Sequence, residues 1–213
     1  MLLRELKSIE KTGSGYILHG DAADVLLIFM TDDVIRVRVS FRRDFKEESY
    51  TLVTTAWEDR MDELLKDERT RIEPLDIPCE EKNGKLVFTT GTCILEISKT
   101  PFFLTLKTLD GAVVYQDLKE RAFEKDYLGR LAHYSKMDPV NDHFYGFGEK
   151  TGCLDKKGRR LRMSPKDAIG HDPEFGDPMY KHIPFYIRIN EKTAYAIGLF
   201  YHNSYDSVFD MGQ

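Results

Sequence analysis

The sequence predicts a mainly β protein, an antiparallel β-sandwich with one or two short helices and one long functional loop. Apolar and charged residues alternate along residues 34–42, which is typical of an antiparallel strand with one solvated face. Short strand-like segments follow one another with turn residues between them, as in sandwiches and barrels. The chain has 213 residues with 13 Phe and 11 Tyr, and aromatic residues favour strands. This length fits one all-β domain.

The first half of the chain is expected to form hairpins. Residues 25–30 are an almost continuous apolar run, which predicts a strand covered on both faces, and Asp32-Asp33 predicts the turn that leads to the alternating strand. Asn83-Gly84 and Asp110-Gly111 tolerate the positive φ angles of two-residue hairpin turns. A meander is therefore expected from the strand-like segments around them, residues 86–88, 93–97, 102–106 and 112–115.

Two segments interrupt this meander. In residues 57–70, apolar residues recur at helical spacing among charges, so both a short surface helix and a charged loop fit the pattern. Residues 117–138 are charged and are expected to form an excursion from the sheet. Residues 144–176 are rich in Gly, Lys, Arg and Asp and are predicted to be one long functional loop. Strands are predicted again at residues 183–189, 195–201 and 207–211.

Composition excludes several classes of function. The net charge of −5 offers no electrostatic attraction for nucleic acid or an anionic membrane. No apolar run approaches the ~20 residues that span a bilayer, and the N-terminus reaches charge too early for a signal peptide. A cytoplasmic protein is therefore expected, and the sequence leaves open whether it is a homo-oligomer.

Neither a metal nor another cofactor is expected. The sequence has an odd number of cysteines, Cys79, Cys93 and Cys153, and no CxxC motif. Both observations argue against a disulfide scaffold or a zinc ribbon. The six histidines form no HxxxH or HExxH pair. The acidic residues Asp172, Glu174 and Asp177 lack the spacing of a calcium-binding loop, so a solvated turn is predicted for them.

The glycines of residues 146–152, in GFGEKTG, lack the GxxxxGK[ST] spacing of a phosphate-binding loop, and the charge of Glu149 would repel phosphate. Tight backbone turns are predicted for them instead. Glu149 and Lys150 are predicted to form either a structural ion pair or part of a site. The basic segment 156–160 is predicted to be a solvated loop.

Several motifs in the C-terminal part of the chain occur together in one order. They are YGFGEKTG at residues 145–152, KKGRR at 156–160, Asp167, and DPMYKHIPF at 177–185. In this order and spacing they resemble glycoside hydrolase family 31, the family of α-glucosidases, isomaltases and α-xylosidases. YGFGE alone would carry little weight.

This resemblance implies a galactose-mutarotase-like supersandwich, a single N-terminal domain over residues 1–213 of a larger α-glucosidase that hydrolyses α-glucosidic bonds with retention. In that family a downstream (β/α)8 barrel supplies both catalytic carboxylates, a nucleophile and an acid/base. A barrel needs at least ~200 residues, and no room for one remains after Met211 in this sequence. The resemblance therefore implies that this chain contains no catalytic residue and is inactive alone. Its implied partners are an α-linked glucoside or oligosaccharide and its own downstream barrel.

The resemblance also implies one substrate-binding residue. In the family, a loop of the N-terminal sandwich reaches over the barrel mouth, and an Asp of this loop hydrogen-bonds the sugar. The matching position is Asp167, with Lys166, Ala168 and Ile169 as weaker candidates. An ionised carboxylate accepts charge-assisted hydrogen bonds from sugar hydroxyls. The family commonly has Trp-Asn-x-Asp at this point, whereas this chain has Ser164-Pro165-Lys166-Asp167.

Two other functions remain open. A free-standing aldose mutarotase-like protein would have the same type of sandwich, but it needs a general acid and a general base facing each other, and the sequence displays no convincing His/Glu pairing. A carbohydrate-binding module would present exposed aromatic residues, and the single Trp57 in a charged segment supports this poorly.

Overall fold

The computed structural model describes residues 1–45, 48–65 and 69–213. It divides into two compact units, unit 1 (Met1–Lys136) and unit 2 (Met137–Gln213). A single domain over residues 1–213 stays a prediction.

Unit 1 consists of thirteen short strands and one helix within the described residues. In chain order they are β1 (Leu6–Thr12), β2 (Gly15–Gly20), β3 (Asp24–Phe29), β4 (Ile35–Ser40), β5 (Thr54–Thr55), α1 (Arg60–Leu65), β6 (Thr70–Arg71), β7 (Cys79–Lys82), β8 (Lys85–Thr89), β9 (Cys93–Lys99), β10 (Phe102–Thr108), β11 (Val113–Gln116), β12 (Phe123–Lys125) and β13 (Leu131–His133). Antiparallel sheets form in the orders β1-β2-β3-β4 and β11-β10-β9-β8-β7.

The core of unit 1 lies between these two sheets, so the predicted sandwich is confirmed. Phe88 of the five-stranded sheet is fully buried, and its ring centroid lies 5.1 Å from that of Tyr16 and 5.3 Å from that of Phe29, both in the four-stranded sheet. Strand β3 is buried on both faces, as its apolar run predicts. The buried cluster contains Leu3, Leu6, Tyr16, Leu18, Ala23, Val25, Leu27, Phe29, Leu86, Phe88, Leu95, Ile97, Phe102 and Leu104.

The outer faces of both sheets carry charge. On β4, the Arg36 guanidinium lies 3.8 Å from the centre of the Trp57 ring. On the other sheet, Glu96 accepts hydrogen bonds from Lys85, at 2.6 Å, and from Lys107. Partial burial raises the pKa of Glu96, but the hydrogen bonds from Lys107 and Lys85 outweigh burial, so its pKa lies below the usual value.

The predicted two-residue hairpin turn is confirmed at one of the two positions. Asn83 and Gly84, with φ angles of 52° and 72°, connect β7 directly to β8. Asp110 and Gly111 instead belong to a four-residue connection, residues 109–112, so the two-residue turn predicted there was wrong. The Thr108 amide donates to the Ala112 carbonyl at 2.9 Å and closes this longer loop.

The two segments predicted to interrupt the meander, residues 57–70 and 117–138, contain a short helix and a hairpin, respectively. A helix does form within residues 57–70, but only over Arg60–Leu65, and residues 66–68 of that segment lie outside the described residues. The charged excursion 117–138 contains the hairpin β12-β13.

Unit 2 has two small antiparallel sheets. Its strands are β14 (Asp142–Gly148), β15 (Arg160–Met163), β16 (His182–Asn190), β17 (Tyr195–Phe200) and β18 (Ser207–Asp210), in the orders β14-β16-β17 and β15-β18. Their buried side chains form a separate core of Phe144, Phe147, Leu161, Met163, Tyr186, Phe209 and Met211.

The predicted single loop 144–176 was wrong in its extent. It contains most of β14 and all of β15, because Leu161 and Met163 alternate with arginines and bury their side chains in the core of unit 2. Two connections remain, residues 149–159 and residues 164–181. The second carries Asp167, and we call it the Asp167 loop.

Within the described residues, no helix is long and apolar enough to span a bilayer.

Candidate functional site

The YGFGE segment forms a bulge at the end of β14. Gly146, Phe147 and Gly148 have φ angles of 127°, 70° and 78°, and the register with β16 shifts between the two glycines. A Cβ atom on Gly146 would lie 2.7 Å from the carbonyl oxygen of Phe185, and one on Gly148 would lie 2.7 Å from the amide nitrogen of Ile183. Both positions therefore require glycine, and the predicted tight turn is confirmed.

Phe147 has a backbone conformation that is unfavourable for a large side chain. Its ring is fully buried and stacks on Tyr186 with 5.0 Å between ring centroids. Phe209 packs edge-on against it at 5.5 Å. Burial of the ring offsets the backbone strain, and the bulge directs the chain out of the sheet into residues 149–159.

A buried ion pair connects this segment to the Asp167 loop. Lys150 Nζ lies 2.7 Å from Asp177 Oδ1, and the two side chains are only 1% and 11% exposed. Lys150 also donates to the Arg162 carbonyl at 2.5 Å, and Asp177 Oδ2 accepts from the Arg162 amide at 2.6 Å. The pair thus joins three segments: the one after the bulge, β15 and the Asp167 loop.

Glu149 does not form this ion pair with Lys150, so that alternative was wrong. Its carboxylate accepts a hydrogen bond from the Lys181 amide at 3.2 Å, and its own amide donates to the Lys181 carbonyl at 2.9 Å. Glu149 therefore holds the end of the Asp167 loop beside the bulge.

Two residues of the basic segment 156–160, Lys156 and Arg159, donate hydrogen bonds to backbone carbonyls of neighbouring segments. Lys156 is buried, and its Nζ donates to the carbonyls of Thr151, at 3.0 Å, and Cys153, at 2.5 Å. Burial lowers the pKa of Lys156, and the nearby Arg159 lowers it further. Arg159 Nη1 donates to the carbonyl of Glu174, in the Asp167 loop, at 3.3 Å. The predicted solvated loop was therefore wrong for Lys156.

Asp167 lies in the first part of its loop with an exposed side chain. Its neighbours Lys166 and Ile169 are also exposed, whereas Ala168 is buried. The Asp167 carboxylate lies near the Tyr180 hydroxyl and raises the pKa of Tyr180 above its usual value. The buried Ala168 anchors the chain next to Asp167, whose side chain is exposed.

Further contacts fix the rest of the Asp167 loop. The Ser164 hydroxyl donates to Asp206 Oδ2 at 3.0 Å. Asp172 Oδ1 accepts from the amides of Phe175, at 2.9 Å, and Glu174, at 2.8 Å, and these bonds lower the pKa of Asp172. Asp172 and Glu174 are exposed, which confirms the predicted solvated turn for these two residues. The prediction was wrong for Asp177, whose side chain is only 11% exposed because it pairs with Lys150.

A cavity in unit 2 does not include the predicted site residues. It has a volume of about 550 Å³. None of residues 166–169 lines it, and three arginines make it cationic, unlike the mostly apolar lining typical of small-molecule sites. Its lining is Gly158, Arg159, Arg160, Arg162, Phe175, Asp177, Val208 and Gln213.

Unit 1 contains an Asp–His pair that sequence reasoning missed. Asp117 Oδ1 lies 2.9 Å from His133 Nε2, and the carboxylate also accepts from Tyr115 Oη at 2.8 Å and the Leu104 amide at 3.0 Å. The His133 ring stacks on Phe123 with 4.3 Å between ring centroids. With its carboxylate buried and hydrogen-bonded three times, Asp117 joins β10, β11 and β13. No local pattern reveals this pair, because His133 is 16 residues away.

No metal centre is evident within the described ranges, where no three or more His, Cys, Asp or Glu side chains lie close enough to hold an ion.

Comparison with known proteins identifies the family. A family model described as "Glycosyl hydrolase 31 N-terminal galactose mutarotase-like domain" matches residues 24–210. Alpha-glucosidase 2 of Bacillus thermoamyloliquefaciens is 29% identical over 197 residues, which are 92% of this chain and 22% of that protein.

Solved structures have the same fold. A GH31 dextranase of Flavobacterium johnsoniae, complexed with glucose, superposes with a TM-score of 0.82 at 20% sequence identity. The match covers 100% of this chain and 24% of the dextranase chain. A GH31 α-xylosidase from a soil metagenome, complexed with xylose, superposes with a TM-score of 0.68 at 11% sequence identity. The match covers 97% of this chain and 29% of the α-xylosidase chain. The chain thus spans 22–29% of the length of these relatives.

Proposed function

The chain belongs to the N-terminal galactose mutarotase-like domains of glycosyl hydrolase family 31, and from this membership we propose that it serves a longer, retaining α-glucosidase. In this proposal the domain supports a downstream catalytic barrel and contributes the Asp167 loop to the substrate pocket. The domain alone is inactive. Family membership favours this function over a free-standing mutarotase or a binding module.

The observation that carries the proposal is the way the Asp167 loop is held. Lys150, Asp177 and Glu149 fix its C-terminal half and Ala168 anchors its N-terminal half, yet the Asp167 carboxylate is exposed. A charged group on a braced loop is pre-organised to accept hydrogen bonds from a ligand. A surface acid without a partner site would not need this bracing.

The proposed chemistry divides between the two domains. Two carboxyl groups about 5–5.5 Å apart in the barrel carry out retaining hydrolysis through a glycosyl-enzyme intermediate. Asp167 accepts hydrogen bonds from hydroxyls of the sugar next to the cleaved bond and fixes its orientation. This contact contributes binding energy and positioning, and no proton transfer.

The test is Asp167→Asn in the longer enzyme that carries this domain. Loss of a charged hydrogen bond costs about 1.5–3 kcal/mol, so kcat/KM for p-nitrophenyl α-glucoside should fall roughly 10- to 100-fold. The matched control is Glu174→Gln, which neutralises an exposed acid of the same loop and should leave kcat/KM unchanged. Equal kcat/KM for both variants would refute the pocket role of Asp167, and enzyme-like hydrolysis by the 213-residue chain alone would refute the division of labour.

A further inference from the structure

One surface of unit 2 is apolar and uncovered. On β16, Ile183, Phe185 and Ile187 are 53%, 38% and 39% exposed, and Phe200 on β17 is 44% exposed. The register pairs Phe185 with Phe200 and Ile187 with Gly198. A Cβ atom on Gly198 would lie 2.9 Å from the Phe185 ring, so this ring lies across the neighbouring strand. Ile183, Phe185, Ile187 and Phe200 thus form one continuous surface, which we call the β16 face.

Around Tyr186, strand β16 places apolar side chains on both sides of the sheet. Tyr186 points into the core of unit 2, while Phe185 and Ile187, on either side of it, point outward. In antiparallel sheets with one solvated face, apolar residues alternate with polar ones, as in β4, where Arg36 and Arg38 alternate with valines. A strand that is apolar on both sides is typical of a sheet covered on both faces, and exposed apolar patches mark interaction sites.

We propose that the β16 face is the surface against which the catalytic domain of the longer enzyme packs. This inference rests on the proposed function. Two observations favour this occupant over a second copy of the chain. The chain spans 22% of the curated relative it matches, so most of that relative lies outside the matched region. The Asp167 loop also runs directly into β16, with Ile183 two residues beyond its last residue, Lys181.

The second observation gives a geometric constraint. Glu149 bonds both the amide and the carbonyl of Lys181, which holds the end of the Asp167 loop at the start of β16. The Asp167 carboxylate lies near Tyr180, the residue before Lys181, so a domain whose pocket receives Asp167 lies close to this end of the strand. The four side chains of the β16 face carry no charge, so the complementary surface is apolar rather than acidic or basic.

The test compares Ile183→Asp with Val113→Asp in the longer enzyme. Val113 is a matched control because it is an apolar, β-branched strand residue of unit 1 with 48% exposure. A charge buried in a domain interface is costly. Ile183→Asp should therefore separate the unfolding of the N-terminal domain from that of the catalytic domain in calorimetry. It should also speed proteolytic cleavage between the domains about tenfold. Val113→Asp should behave as the unmodified enzyme.

A second measurement separates misfolding and self-association from docking. In the 213-residue chain, Ile183→Asp should leave Tm unchanged because the side chain is exposed, and sedimentation velocity should give a monomer with or without the substitution. A dimer that Ile183→Asp dissociates would assign the face to a second copy and overturn the proposal. The proposal would also be overturned if Ile183→Asp and Val113→Asp gave the same calorimetric unfolding and the same rate of cleavage between the domains in the longer enzyme.

The outcome is independent of the Asp167 test. If Asp167→Asn leaves kcat/KM unchanged while Ile183→Asp uncouples the domains, the pocket role fails and the docking surface stands. If Asp167→Asn lowers kcat/KM while Ile183→Asp does nothing, the docking surface is wrong and the pocket role stands.

Discussion

The two units use their outward-facing residues in different ways. Unit 1 buries a large core between two sheets, and its outer faces carry charges such as Arg36 on β4 and Glu96 between two lysines. Unit 2 has a core of seven buried residues, holds its connections with buried charges, and exposes the apolar β16 face. Unit 1 thus buries its main apolar surface between its own two sheets, whereas unit 2 leaves the apolar β16 face exposed.

The largest expected effect on stability concerns the core of unit 1. Phe88→Ala should lower the free energy of unfolding by about 3–5 kcal/mol, because it removes a fully buried ring that contacts the opposite sheet. Urea unfolding of the 213-residue chain, followed by circular dichroism, measures this loss. Tyr127→Ala, at a 93% exposed position in the same unit, should change stability by no more than about 0.5 kcal/mol. A loss below about 1 kcal/mol for Phe88→Ala would show that the two sheets do not share one core.

The next largest expected effect on stability concerns the buried ion pair between Lys150 and Asp177 in unit 2. Lys150→Met leaves Asp177 buried without its cation, and breaking such a pair costs about 3–5 kcal/mol. The loss should appear as faster hydrogen exchange across the Asp167 loop and β15, while exchange in unit 1 stays unchanged. Lys166→Met, at an exposed position of the same loop, is the control and should leave exchange as it is. Unchanged exchange in Lys150→Met would mean that this ion pair does not brace the loop.

The smallest effect concerns a charge on the outer face of unit 1. The pKa of Glu96 lies below 4.5 in the folded chain because Lys107 and Lys85 donate to its carboxylate. Its contribution to stability is therefore present above pH 4.5 and is lost as the pH falls through the folded pKa. Glu96→Gln should cost up to about 1 kcal/mol at pH 7, because the two lysines are partly exposed.

Urea unfolding at pH 7 and at pH 3 measures the pH dependence. The stability difference between the unmodified chain and Glu96→Gln should shrink at pH 3. An equal difference at both pH values would mean that the two lysines do not stabilise the ionised carboxylate.

Local sequence patterns predict most of unit 1. Alternation around Val37 locates β4, and Asn83-Gly84 locates the β7-β8 hairpin, because both signals lie within a few neighbouring residues. Strands β1 and β2 were missed, although Tyr16 and Leu18 alternate as a strand with one buried face would.

Unit 2 is less predictable because its order depends on contacts that are distant in sequence. Lys150 meets Asp177 across 27 residues, and no pattern around either residue reveals the other. Asp167 came from the family resemblance alone, since an exposed acid in a loop has no distinctive local pattern. The β16 face was visible only once the structure separated buried Tyr186 from exposed Phe185 and Ile187.

A crystal structure of the longer enzyme with an α-glucoside bound would test the roles of Asp167 and of the β16 face together. We expect an Asp167 carboxylate oxygen within about 2.5–3.0 Å of a sugar hydroxyl, with Ile183 and Phe185 covered by the catalytic domain. A structure in which the Asp167 carboxylate stays in solvent, away from the sugar, would contradict this expectation.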